Sequence, residues 1–120
     1  PIEQYLLIGN FSECGLASFR NIDEKYGYLN TKGQTIIPAQ YDYAEEFAEN
    51  GLACVQKNKK YGFIDKEGKE IIPCNYEYAD SFFKDYPTIV CRDGKYGYIN
   101  ASGEEVIEAK FEDALDFMQR

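Results

Sequence analysis

Short apolar runs separated by turn residues fill this chain, and the pattern returns every 35 residues. Its most regular element is Lys-Tyr-Gly, at Lys25-Tyr26-Gly27, Lys60-Tyr61-Gly62 and Lys95-Tyr96-Gly97. Gly33, Gly68 and Gly103 keep the same period. So do the aromatics Tyr41, Tyr76 and Phe111 and the alanines Ala44, Ala79 and Ala114. A fixed period of this length marks a repeat architecture.

Each unit predicts three short strands. The first covers 16–19, 52–55 and 88–90 in the three units. Asn58-Lys59 and Asp93-Gly94 follow it as tight hairpin turns. The first unit has one extra residue here, so its turn should be longer or bulged. The second strand is 26–29, 61–64 and 96–99, with its two aromatics on one face and glycine plus an aliphatic on the other. A glycine fixed in mid-strand predicts close backbone approach or a bulge. Asn30, Asp65 and Asn100, each three residues before a glycine, predict a type I turn closed by a left-handed glycine. The third strand holds Ile36-Ile37-Pro38, Ile71-Ile72-Pro73 and Val106-Ile107-Glu108, and proline is expected to end its pairing. In 41–47 the apolar residues stand three apart, which predicts a helical turn or an irregular corner.

Positions that keep one residue class in every unit predict core. These are Tyr26/Tyr61/Tyr96, Tyr28/Phe63/Tyr98, Tyr41/Tyr76/Phe111, Ala44/Ala79/Ala114 and Phe47/Phe82/Phe117. Residues 1–11 read as a partial unit, 12–47, 48–82 and 83–117 as full units and 118–120 as a tail, all within one repeat domain spanning 1–120. The expected fold is all-β, with tandem three-stranded antiparallel units in an open curved array. A propeller-like or barrel-like closure is the alternative, although propellers commonly need about four to eight blades.

The residues carry a family resemblance. Phe47 with Gly51-Leu52-Ala53, then Lys60-Tyr61-Gly62-Phe63-Ile64-Asp65 with Gly68, then Ile71-Ile72-Pro73 with Tyr76, Ala79 and Phe82 resemble the WG-repeat (KWG) family. The likeness recurs in all three units and covers almost the whole chain. Two departures stand out. Tyrosine replaces the family's tryptophan throughout, and the third unit has Tyr86-Pro87-Thr88 for Gly-Leu-Ala and Glu108 for proline. The resemblance implies an all-β repeat module without a known catalytic motif, and it supplies no functional residues to transfer.

Composition narrows the chemistry. Aromatics make up 16% of the chain, from 11 Tyr and 8 Phe with no Trp, so the core is thin, with hydroxyls near water. Net charge is −8, which argues against nucleic acid. No apolar run is long enough to cross a bilayer, so membrane insertion is not expected. There is no histidine, which removes the usual nucleophilic triads and most zinc sites. Cys14, Cys54, Cys74 and Cys91 occupy unrelated repeat positions, so they read as reduced thiols and point to the cytoplasm. The acids in register, Asp42, Glu77 and Glu112, read as backbone caps. Calcium would need about six to eight oxygens, and no dense Asp/Gly loop offers them. The repeated Lys25, Lys60 and Lys95 read as a solvated edge or as local ion pairs. No metal or cofactor is expected.

The function expected from these residues is non-enzymatic: an interaction surface or scaffold for another protein, with a basic protein as the favoured partner. Binding of carbohydrate or cell wall through exposed tyrosines is the alternative, and a carboxylate-dependent hydrolase is the weakest reading. The candidate partner-binding residues are Tyr43, Glu46, Tyr78, Asp80, Asp113 and Asp116, where aromatic and acidic side chains are expected to lie in one solvent-facing stripe.

Overall fold

A computed structural model describes residues 5–111, which form twelve strands and no helix. The first sheet is β1 (Tyr5–Ile8), β2 (Leu16–Asn21), β3 (Tyr26–Asn30) and β4 (Thr35–Tyr41). The second is β5 (Tyr43–Ala44), β6 (Ala53–Lys57), β7 (Lys60–Ile64) and β8 (Glu70–Tyr76). The third is β9 (Tyr78–Ala79), β10 (Thr88–Arg92), β11 (Lys95–Ile99) and β12 (Glu105–Phe111). Each is an antiparallel meander, none closes into a barrel, and the sheets form an open array measuring 51 × 26 × 21 Å.

The turns follow the sequence. Asn58 and Lys59 have φ of 54° and 68°, and Asp93 and Gly94 have 53° and 77°, as a two-residue hairpin of matching twist requires. The longer first-unit turn bulges, with Glu24 at φ 62° and the Asn21 side chain accepting the N–H groups of Asp23 and Lys25, each at 3.0 Å. Gly33, Gly68 and Gly103 are left-handed, with φ of 79°, 87° and 83°. Before each, the Asn30, Asp65 or Asn100 side chain accepts two backbone N–H groups.

Three expectations are corrected. Each sheet has a fourth strand, because 41–47 is not a helical turn but an irregular corner that holds a short strand: Tyr41 ends β4, and Tyr43–Ala44 already pair with Gln56 and Val55 of the next sheet. Proline does not end the third strand. Tyr26 pairs with Tyr41 and Tyr28 with Ile37, so Pro38, Ala39 and Gln40 bulge opposite the single residue Gly27. Pro38 lies within this bulge, where regular ladder pairing is interrupted. The same register holds in the second sheet, where Tyr61 pairs with Tyr76 and Phe63 with Ile72. Finally, Tyr26, Tyr61 and Tyr96 are half-buried rather than core, and Tyr76 and Tyr98 are also half-buried. Of the other predicted core positions, Ala114 and Phe117 lie outside the described residues, as do the side-chain surroundings of Phe111.

The bulge explains the glycine of Lys-Tyr-Gly. A Cβ at Gly27 would lie 2.5 Å from the Ile37 carbonyl oxygen and 2.8 Å from the Ala39 nitrogen. At Gly62 the distances are 2.5 Å to the Ile72 oxygen and 2.7 Å to the Cys74 nitrogen. These neighbours are backbone atoms and have no rotamer through which to retreat.

The core lies between sheets. Tyr28, Ile37 and Tyr41 of the first sheet meet Ala44, Val55 and Ile64 of the second sheet and Phe47 of its β5–β6 loop. Cys54, Phe63 and Ile72 then meet Ala79, Phe82, Val90 and Ile99. Rings mark both junctions, with centroids 4.8 Å apart for Tyr28–Phe47 and 4.7 Å for Phe63–Phe82. On the far side of the first sheet, Ala17, Phe19 and Leu29 form a smaller cluster under Tyr5, whose ring lies 4.5 Å from that of Phe19.

The two junctions differ by one hydroxyl. Tyr28 donates to the Glu45 carbonyl at 2.6 Å, and burial pushes its phenol well above the ordinary tyrosine value. Phe63, its counterpart, has no hydroxyl. There Thr88, standing where the previous unit has Ala53, donates instead to the equivalent carbonyl of Asp80 at 3.0 Å.

Two outcomes follow. Gly62→Ala forces the bulge apart and should cost about 1–3 kcal/mol in a denaturant titration; an unchanged midpoint would mean the strand relaxes freely. Tyr28→Phe removes the donor to the Glu45 carbonyl and should cost about 1–3 kcal/mol. Adding Ala53→Thr should recover a large part of that loss, and strictly additive effects in the double-mutant cycle would refute the exchange.

Candidate functional site

The short edge strands β5 and β9 each place one tyrosine, Tyr43 and Tyr78, against the preceding sheet. Tyr43 and Tyr78 are 41% and 40% exposed. The Tyr43 ring lies edge-on to Tyr26, with centroids 5.4 Å apart, and the Tyr78 ring lies edge-on to Tyr61 at 5.9 Å. Tyr43 donates to the Glu45 carboxylate at 3.4 Å, and Tyr78 donates to Asp80. Burial, followed by Glu45, pushes the Tyr43 phenol up. The Asp80 hydrogen bond, followed by burial, pushes Tyr78 up to about 12. Both phenols therefore stay protonated at neutral pH, and each tyrosine offers a half-open ring with an acid at its tip.

A capping ladder holds the corners beside this row. Asp42 accepts the Asn58 N–H at 2.9 Å, tying down the β6–β7 turn, and accepts from the Lys25 ammonium at 2.6 Å. Glu77 repeats the arrangement, accepting the Gly94 N–H at 2.8 Å in the β10–β11 turn. The Lys25 hydrogen bond holds the Asp42 carboxyl below its ordinary range, and the Gly94 N–H does the same for Glu77. These acids position backbone, as their register implies.

A second feature lies on the loops that follow β1, β5 and β9. An open groove of about 330 Å³ runs across the equivalent residues Phe11, Phe47 and Phe82. Glu13, Glu46 and Glu49 line it in the first two units, and Phe83 with Lys84 lines it in the third. The predicted set is thus divided. Tyr43, Tyr78 and Asp80 belong to the tyrosine row, Glu46 lines the groove, and Asp113 and Asp116 lie outside the described residues. The residues missed from sequence are Phe11, Glu13, Glu49, Phe83 and Lys84. Their signal was the recurrence of Phe11, Phe47 and Phe82 at one repeat position.

Among the described residues, no three His, Cys, Asp or Glu side chains come together as a metal site. All four cysteines are free thiols. Burial raises the Cys54 thiol to about 12 and Cys74 to about 11, so both behave as small apolar groups at neutral pH.

The model of the family described as "WG containing repeat" matches residues 26–61, 61–96 and 96–119. No curated protein matches the chain.

The capping ladder generates a pH dependence. A carboxyl whose folded pKa is depressed stabilises the fold above its unfolded pKa, near 3.9 for Asp. That contribution is lost as pH falls through the lower, folded value. Asp42→Asn keeps an acceptor for the Asn58 N–H but removes the charge facing Lys25. The gap in urea midpoint between wild type and Asp42→Asn should be widest near neutral pH and close as pH falls below about 4. A gap that stays constant into acid would mean that the charge contributes nothing.

Proposed function

Because the chain belongs to the WG-containing repeat family, we propose that it is a non-enzymatic module that holds another protein, of basic character, on its tyrosine row. The observation that carries this reading is the repeated pair of half-exposed tyrosine and adjacent carboxylate, Tyr43 with Glu45 and Tyr78 with Asp80. Tyrosine offers a large, rigid contact with a polar tip, and the carboxylates would steer a cationic partner. Net charge of −8 adds a long-range attraction that salt would weaken. Both rings already rest edge-on against another tyrosine, so little side-chain freedom remains to be lost on binding.

The test is Tyr43→Ala combined with Tyr78→Ala, with folding checked by circular dichroism. Affinity for the purified partner should fall at least about tenfold while the fold persists. A folded double variant with unchanged affinity would end the proposal. Retention of the wild type on a polysaccharide resin, lost in the double variant, would move the row to carbohydrate binding instead.

A further inference from the structure

Where the third unit departs from the repeat, it places aromatics on the surface. Phe83 and Tyr86 are 66% and 63% exposed. Their rings stack with centroids 6.1 Å apart and planes 13° apart, and the Lys84 ammonium sits 5.5 Å from the Phe83 centroid. The equivalent residues are Ser12 and Gly15 in the first unit and Ala48 and Gly51 in the second. Gly15 and Gly51 close their turns at φ 84° and 85°. The third turn carries Tyr86 there and places Lys84 at φ 53°. A lysine held left-handed is less favourable than a glycine in that conformation. The other two turns close with glycine and without these rings, so closing the turn does not in itself require two exposed aromatics.

Phe83 lines one end of the loop groove beside Lys84, and Tyr86 stacks on Phe83. Toward the other end the walls carry Glu13, Glu46 and Glu49, and the floor is Phe47 and Phe82, each 5% exposed. The groove therefore has an acidic end over the first two units and an aromatic end over the third. Stacked sheets lie about 10 Å apart, and an extended chain advances about 3.3 Å per residue. One unit thus corresponds to about three residues of an extended peptide.

We propose that this groove binds an extended protein segment carrying lysine or arginine at three-residue spacing, followed three residues later by an aromatic side chain. The cations face Glu13, Glu46 and Glu49, and the aromatic packs on Phe83 and Tyr86. Of the tyrosine-row residues the groove uses none, so the two sites fail independently.

The probe is a fluorescein-labelled peptide, Lys-Ser-Ser-Lys-Ser-Ser-Phe, titrated with the full chain by fluorescence anisotropy. It should bind at least about tenfold more tightly than peptides with both lysines changed to glutamate or the phenylalanine changed to serine. Phe83→Ala combined with Tyr86→Ala removes exposed rings and should weaken it about tenfold. Glu13→Gln, Glu46→Gln and Glu49→Gln together should weaken it and flatten its salt dependence. Tyr43→Ala with Tyr78→Ala should leave it unchanged. Equal binding of the phenylalanine-free peptide, or unchanged binding to the Phe83/Tyr86 variant, would overturn the proposal.

Discussion

A missing Cβ governs this architecture. At Gly27 and Gly62 the neighbouring strand enters the space a side chain would fill, with a carbonyl oxygen 2.5 Å from the ideal Cβ position. That approach lets three residues bulge opposite one, and the bulge re-aims the strand near its end. Tyr41 still pairs with the first sheet, and two residues later Tyr43 already pairs with the second. The tyrosine row, the Asp42 cap and the loop over Phe47 all lie downstream of that handover. In its first copy Lys-Tyr-Gly thus combines three roles: an ion-pairing Lys25, a half-buried Tyr26 ring that receives the tyrosine of the next sheet, and the glycine that admits the bulge.

Much of this was legible in one sequence because the chain contains three readings of the same unit. The left-handed turn glycines, the tight Asn58-Lys59 turn and the bulged first-unit turn each follow from local chemistry. What escaped was not local. Tyr43–Ala44 is too short for any period, and its residues follow directly on a strand of another sheet. Proline predicts the end of a strand only where pairing is regular, and Pro38 lies inside a bulge that a contact between distant residues creates. Tyr26 and Tyr61 never vary, yet they are only half-buried, packed on the margin of the core with one ring edge against Tyr43 and Tyr78.

The sites divide along the same line. Exposure of Tyr43 and Tyr78 could be read from the aspartate at the third copy of their position. The groove could not, because its walls come from three loops that meet only when the sheets stack. Repetition accounts for its phenylalanine floor. Departure from repetition accounts for Phe83, Lys84 and Tyr86. In such a chain the residues kept in all three units chiefly shape turns and bulges and stack one sheet on the next, whereas both candidate sites lie at positions not kept in all three, Tyr43/Tyr78/Asp113 and Phe83, Lys84 and Tyr86.

The exchange of Tyr28 for Thr88 as donor bears on how three near-identical sheets avoid joining in the wrong order. Phe63 placed against the Ala53 face, as two middle units of different molecules would be, leaves the Glu45 carbonyl with neither donor. Tyr28 placed against the third unit brings its hydroxyl and that of Thr88 to a single carbonyl in a space that now holds one. Either mismatch costs on the order of 1–3 kcal/mol. Tandem copies folding side by side are exposed to such cross-assembly. Here a single oxygen atom, moved from one side of the junction to the other, makes each sheet recognise its own neighbour.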